Sequence, residues 1–227
     1  MVLGQYFLTI IFAPQILIMK TRSWFIVLSI LVSFSSFAQN DPNAKKVLDA
    51  VSAKVKTFKG ITAGFTIKSV SSKGKNNGVK IGNISIKGEK YYLKQGKTEI
   101  MSDGTKIYNY DGSKTITIST VQESNQTLSP QVLLSNFYDK DFTYKLVSSQ
   151  GNSYKIELIP VDKKKNFKKV NIFVDKAKNM ITKAEIVDKS NNIVEFILTN
   201  VNTNADISDT AFVFNRNKYP KDVEVLD

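Results

Sequence analysis

The 227-residue chain contains no cysteine and no histidine. Without cysteine there can be no disulfide, no thiolate nucleophile and no thiolate metal ligand. Without histidine the commonest general base and the commonest metal ligand are both missing. Trp24 is the single tryptophan. Arginine is almost as scarce, at Arg22 and Arg216. The excess of 32 Lys+Arg over 20 Asp+Glu, a net charge of +12, is therefore almost wholly lysine. Lysine lacks the planar fork with which arginine reads phosphates and base edges, so nucleic acid is not an expected partner. The charge is either a solvated surface or an attraction towards anionic headgroups or an acidic partner. A glycine-rich phosphate loop, a nucleophile motif and a metal-ligand spacing are all missing, so neither an enzyme nor a cofactor is expected.

What is present begins with an export signal. Met19-Lys20-Thr21-Arg22 is basic, residues 24–34 are apolar, and Ser36-Phe37-Ala38 supplies small residues ahead of Gln39. This order reads as a secretory signal peptide cleaved after Ala38, leaving residues 39–227 as one domain outside the cytoplasm. No cysteine follows that site to carry a lipid anchor. Residues 2–18 are apolar, but Pro14 interrupts them and Lys20 and Arg22 follow. The preferred start is therefore Met19, and the alternative is a longer signal or an anchor.

Asp41 can cap a helix that Pro42 opens, and Gly60 is its expected stop. Along it Ala44, Val47, Leu48, Val51, Val55 and Phe58 recur at steps of three and four. That apolar face either packs into the core or lies over a sheet as a lid. Period-two alternation then dominates, from Ile61, Ala63, Phe65 and Ile67 to residues 193–201. The phase slips between Val79-Lys80-Ile81 and Ile84-Ser85-Ile86, which predicts a bulge at Gly82-Asn83. Asp103-Gly104 and Asp111-Gly112-Ser113 read as hairpin turns rather than as a catalytic carboxylate pair. Ser129-Pro130 opens a second short helical piece carrying Val132, Leu133, Leu134 and Phe137. Lys163-Lys164-Lys165 reads as a solvated hairpin tip, or as a docking patch for a membrane or partner. About eleven strands joined by short turns predict an antiparallel meander curled into a barrel or half-barrel. Helices laid over its inner face would enclose either a packed core or an apolar cavity suited to an acyl chain.

The ordered segments resemble the periplasmic outer-membrane lipoprotein carrier family, LolA-like, over about residues 44–227. They are Gly64-Phe65-Thr66, Gly82-Asn83-Ile84-Ser85-Ile86, the Ser102-Asp103-Gly104 hairpin, Leu128-Ser129-Pro130, and the tail from Phe212-Val213-Phe214 to Tyr219-Pro220. The resemblance implies an unclosed antiparallel barrel lidded by short helices around an apolar cavity. It implies a periplasmic monomer carrying lipoprotein acyl chains from an inner-membrane ABC transporter towards an outer-membrane acceptor. Candidate cavity residues are Phe65, Ile84, Ile86, Tyr91, Leu93, Met101, Ile107 and Tyr110. Candidate lid residues are Val47, Leu48, Val51, Val55, Leu133 and Leu134. One departure stands out. Where the family often has an Arg that holds the lid closed, this chain reads Lys87-Gly88-Glu89-Lys90, leaving Lys90 as the substitute cation. The rival readings are a carrier of another amphiphile in the same cavity, or a non-transport adaptor that senses lipoproteins or partner proteins.

Overall fold

In the computed structural model residues 40–122 and 138–227 are described. The signal segment, and the helical piece with Leu133 and Leu134, lie outside the described residues. Helix α1 spans Pro42–Val55, with Asp41 as its cap. The Asp41 carboxylate accepts hydrogen bonds from the Asn43 and Ala44 amides at 2.8 and 3.5 Å. α1 ends before Gly60, because Thr57 and Phe58 turn back onto the Lys54 and Val55 carbonyls. Gly60 serves a different purpose: a Cβ there would come within 2.7 Å of the Ala205 carbonyl oxygen, so only glycine lets the tail pass.

The strands are β1 (Ile61–Val70), β2 (Asn76–Lys87), β3 (Lys90–Gln95), β4 (Thr98–Ser102), β5 (Lys106–Tyr110) and β6 (Thr115–Thr120). A short helix α2 (Tyr138–Asp141) leads into β7 (Phe142–Ser148), β8 (Ser153–Pro160), β9 (Phe167–Asp175), β10 (Met180–Asp188) and β11 (Ile193–Asn202). β12 (Glu224–Leu226) comes last. All twelve form one sheet in the order β12-β6-β5-β4-β3-β2-β1-β11-β10-β9-β8-β7. Two meanders are thus joined through β1 and β11. The edges β12 and β7 do not pair, so the barrel is unclosed. The expected antiparallel architecture stands, with a twelfth strand from the tail that pairs parallel to β6.

The expected bulge at Gly82-Asn83 is not there. β1 and β2 keep one register from Ile61↔Ile86 through Phe65↔Gly82 to Lys68↔Val79. The apolar phase changes because β2 changes which face it offers. Ile84 and Ile86 point inward, whereas Val79 and Ile81 point outward and are 52% and 71% exposed. The irregularity falls instead between Lys68 and Val70, beside the turn.

Paired residues share a face of the sheet, so the register defines two faces. The inner face carries α1. Ala44, Val47, Leu48 and Val51 pack there against Tyr144, Ile156, Leu158, Val170, Ile172 and neighbours on β7–β10. A second cluster on the same face gathers Ile61, Ala63, Phe65, Ile84, Ile86 and Tyr91 from β1–β3. The outer face of β7–β11 is a charged ladder in which Glu157 meets Lys145 and Lys169, and Glu185 meets Lys155 and Lys183. The outer face of β4–β6 is covered by the tail. There Phe214 stacks on Tyr108 at 4.6 Å and Tyr219 meets Tyr110 edge-on at 5.0 Å.

Candidate functional site

A cleft opens on the inner face where the two apolar clusters meet. Val55 and Phe58, from the end of α1 and the turn after it, form one wall. Ile61, Ile84, Ile86, Met180, Ile181, Leu198 and Val201 form the rest. Every lining residue is apolar and none titrates. Leu198 and Val201 sit three apart, yet both reach the cleft. The register shift opposite Thr62/Gly64 inserts a residue into β11 and reverses its alternation. The cleft is narrow, with a cavity volume of about 20 Å³. That space suits hardly more than one water molecule, so an acyl chain needs the walls to part. Half-buried apolar side chains continue the surface beyond the cleft: Ile67, Leu93, Ile100 and Phe196.

The structure divides the candidate cavity residues. Ile84 and Ile86 line the cleft. Phe65 and Tyr91 are buried beside it, Phe65 stacked on Phe196 at 5.3 Å, and Leu93 packs against the same cluster. Burial pushes the Tyr91 phenol up to about 12, so it stays neutral at any physiological pH. Ile107 pairs with Ser102, which pairs with Tyr91, and this places it on the inner face two strands further out than Tyr91. Met101 and Tyr110 fall on the opposite face. Met101 pairs with Tyr92 and Tyr108, and Tyr110 with Glu99 and Ile116, all on the side that the tail covers. They were expected in the cavity because apolar residues occur at both parities along β3–β5, and alternation alone does not say which parity faces inward. The residues not anticipated as lining were Phe58, Ile61, Met180, Ile181, Leu198 and Val201. For Leu198 the signal was available in the Val194-Phe196-Leu198 alternation; for Val201 the shifted register concealed it.

Val47, Leu48 and Val51 of the expected lid are packed into the β7–β10 core, and among the described lid residues only Val55 reaches the cleft. α1 is pinned at its start and middle. The second Asp41 oxygen accepts from the Leu146 amide at 2.9 Å, and the Asn40 side chain accepts from the Tyr144 amide at 3.1 Å. These bonds cover the β7 edge, which would otherwise be open. Further along, the Tyr138 hydroxyl donates to Asp49 at 2.6 Å and the Tyr144 hydroxyl donates to Asp139 at 2.9 Å. Lys45 bridges the two carboxylates at 3.1 and 3.3 Å. The Tyr138 bond, aided by Lys45, holds the Asp49 carboxyl below its usual range. The C-terminal end of α1 lies at the cleft, where Val55 is a lining residue.

Lys90, the substitute cation, is taken up by the tail. Lys87 and Lys90 both reach Asp209 on the tail, at 3.0 and 3.1 Å, and Lys87 also donates to the Ile207 carbonyl. By register both lie on the outer face, away from α1. Asp103 and Asp111 bond their own turns. Asp103 accepts from Thr105 and Lys106, and Asp111 from Ser113, Lys114 and Thr115. Among the described residues there is no cluster of three or more acidic groups that could hold a metal ion.

The class of protein is defined by this half-open antiparallel sheet with one apolar inner face and a helix across part of it. The chain belongs to the family of the outer membrane lipoprotein carrier protein LolA, whose family model matches residues 56–215. Among solved structures, an uncharacterized conserved protein from Thermus thermophilus is similar at 11% identity and a TM-score of 0.53, covering 81% of this chain and 98% of its own. A LolA superfamily protein from Nitrosomonas europaea is similar at 12% identity and a TM-score of 0.45, covering 75% and 97%. The lipoprotein LppX of Mycobacterium tuberculosis is similar at 11% identity and a TM-score of 0.45, covering 74% and 100%. No curated protein matches the chain in sequence.

Proposed function

We propose that this chain is a periplasmic carrier that shields the acyl chains of lipoproteins in the inner-face cleft during their passage from the inner to the outer membrane. It acts as a binding protein, without catalysis. The observation that carries this reading is the cleft itself, a seam of uniformly apolar side chains that continues into half-buried Ile67, Leu93, Ile100 and Phe196. Each methylene buried there contributes about 0.8 kcal/mol, so several chains together bind too tightly to leave unaided. Opening must therefore be coupled to a partner. An inner-membrane ABC transporter would load the carrier and an outer-membrane acceptor would empty it. On this reading the α1 end at Val55 and Phe58 is the wall that moves when the cleft opens.

Lipid mass spectrometry on the protein purified from its native periplasm tests the proposal. The expected result is acyl-bearing lipoprotein at near-stoichiometric amounts. Recovery of a glycolipid or another polar lipid would reassign the cargo and keep the cleft. An empty cleft with a co-purifying protein would replace the carrier by a sensing adaptor.

A further inference from the structure

β2 is longer than the strand beside it. β3 pairs with it only as far as Lys94, opposite Asn83, and Gln95 already turns back to Thr98. Residues 76–82 of β2 therefore have β1 on one side and no described strand on the other. Asn76 to Ile81 are all exposed. Such an edge leaves alternate backbone amides and carbonyls open to an added strand. The edge is also held in shape. The Ser71 amide donates to the Lys75 carbonyl at 2.8 Å, and the Lys75 amide to Ser71 Oγ at 3.1 Å. The Ser72 amide donates to the Asn192 side chain of the β10–β11 turn at 3.0 Å. The Gly78 amide donates to Asn76 Oδ1 at 2.9 Å, which fixes the extra residue that β2 carries ahead of Val79. An edge already ordered loses little freedom when a strand joins it.

The register gives this edge a two-sided pattern. Val79 and Ile81 stand on the outer face, in rows with Lys68 and Thr66 of β1. Lys80 stands on the inner face, in a row with Ile67. From residue 50 to residue 88 the chain carries lysines and no aspartate or glutamate. Among the described residues Lys68, Lys73, Lys75 and Lys80 form no salt bridge. The carboxylates on neighbouring strands and turns are engaged elsewhere. Glu195, in the row of Lys68, reaches Lys183 at 3.6 Å, and Glu99 reaches Lys94 at 2.6 Å. Asp188 accepts the Ser190 and Asn192 amides.

We propose that the open edge of β2 at residues 79–82 takes up an extended segment of a partner protein, in which aliphatic residues alternate with acidic ones. Its aliphatic side chains would lie beside Val79 and Ile81 on the outer face, and its carboxylates beside Lys80 on the inner face. Opposite charges and apolar groups set side by side on neighbouring strands stabilise a sheet, and Lys73 and Lys75 add to the attraction. A second copy of this chain is a poor occupant. Pairing two β2 edges brings two acid-free hairpins together, and an inward-pointing lysine on an edge strand opposes such pairing. The inference goes beyond the cargo reading and does not depend on it, because residues 76–82 do not line the cleft.

The test uses the full chain and an end-blocked peptide of about eight residues alternating valine with glutamate, long enough to span the open edge. Binding should slow amide hydrogen exchange within residues 79–82 and leave β7–β10 unchanged. A peptide alternating valine with lysine should bind about tenfold more weakly, and so should the valine–glutamate peptide methylated on its backbone nitrogens. Lys80→Glu should weaken binding about tenfold, whereas Lys178→Glu, in the β9–β10 turn, should leave it within about twofold. Ile81→Ser should weaken it with no change of charge. These side chains are exposed, so the variants keep the fold. Equal losses from Lys80→Glu and Lys178→Glu would reduce the effect to net charge and overturn the proposal. So would undiminished binding of the methylated peptide, or the absence of protection at residues 79–82. Self-association of the chain that the peptide competes away would give the edge to a second copy and overturn it as well.

Discussion

The ring of Phe65 lies against the α-carbon of Gly82, its cross-strand partner, so closely that a methyl group at Gly82 would overlap Phe65 Cζ and the Lys94 carbonyl oxygen. Glycine at this position lets a fully buried aromatic ring cross the β1–β2 seam next to the cleft. Gly82→Ala should therefore cost about 1–3 kcal/mol through overpacking. A shift of the urea midpoint with unchanged slope would report it. Pairing it with Phe65→Leu should recover part of the loss. If Gly82→Ala is neutral, the close approach is not a constraint.

Ile86 and Met101 are both buried but on opposite faces, and this separates stability from binding. Ile86→Ala and Met101→Ala should each destabilise by about 2–5 kcal/mol. Only Ile86→Ala should alter the affinity for a fluorescent fatty-acid probe. Equal changes in probe binding for the two variants would contradict the assignment of faces.

Because the chain has no cysteine of its own, a disulfide across the cleft can be introduced without background. Val55→Cys with Met180→Cys joins two lining residues from opposite walls. The oxidised form should take up the probe at least tenfold less than the reduced form, and dithiothreitol should restore uptake. Full uptake by the oxidised form would show that the chains enter elsewhere.

The outer-face ladder makes stability depend on pH in one direction. Lys169, then Lys145, hold the Glu157 carboxyl below its usual value. Burial raises Glu185, but Lys183 and Lys155 more than offset this and leave it lowered as well. A folded-state pKa below the unfolded one means stability that is complete above the unfolded value, about pH 4.3, and lost as pH falls through the folded value. Thermal melts should thus be level from about pH 7 to 5 and fall below about pH 4. Glu157→Gln should shallow that fall, modestly, because the partner lysines reach into solvent.

Arg216 holds the tail through four backbone carbonyls, donating to Tyr219, Pro220, Lys221 and Val223 at 2.7 to 3.3 Å. Arg216→Lys keeps the charge but loses the fork, so it should release the tail nearly as well as Arg216→Ala. Limited proteolysis should then cut after Phe212 at least tenfold faster, with the β7–β11 half still protected. Equal resistance in both variants would assign the tail's hold to Phe214 and Tyr219 alone.

Much of this architecture is written locally. Asp41 and Pro42 mark the start of α1, Asp103-Gly104 and Asp111-Gly112 mark turns, and alternation marks the strands, because each depends on a few neighbouring residues and their backbone preferences. The side of the sheet that a strand residue faces is not local. β3–β5 carry apolar groups at both parities, Leu93 beside Tyr92 and Ile100 beside Met101, because the inner cluster claims one set and the returning tail the other. The tail's position over Tyr108 and Tyr110 is settled by contacts about a hundred residues apart in the chain. So is the seat of α1 on β7–β10, which makes most of its apolar face core and leaves Val55 to the cleft. Composition and turn chemistry could be read directly, whereas inside and outside were decided only when β1 met β11 and the sheet acquired its two faces.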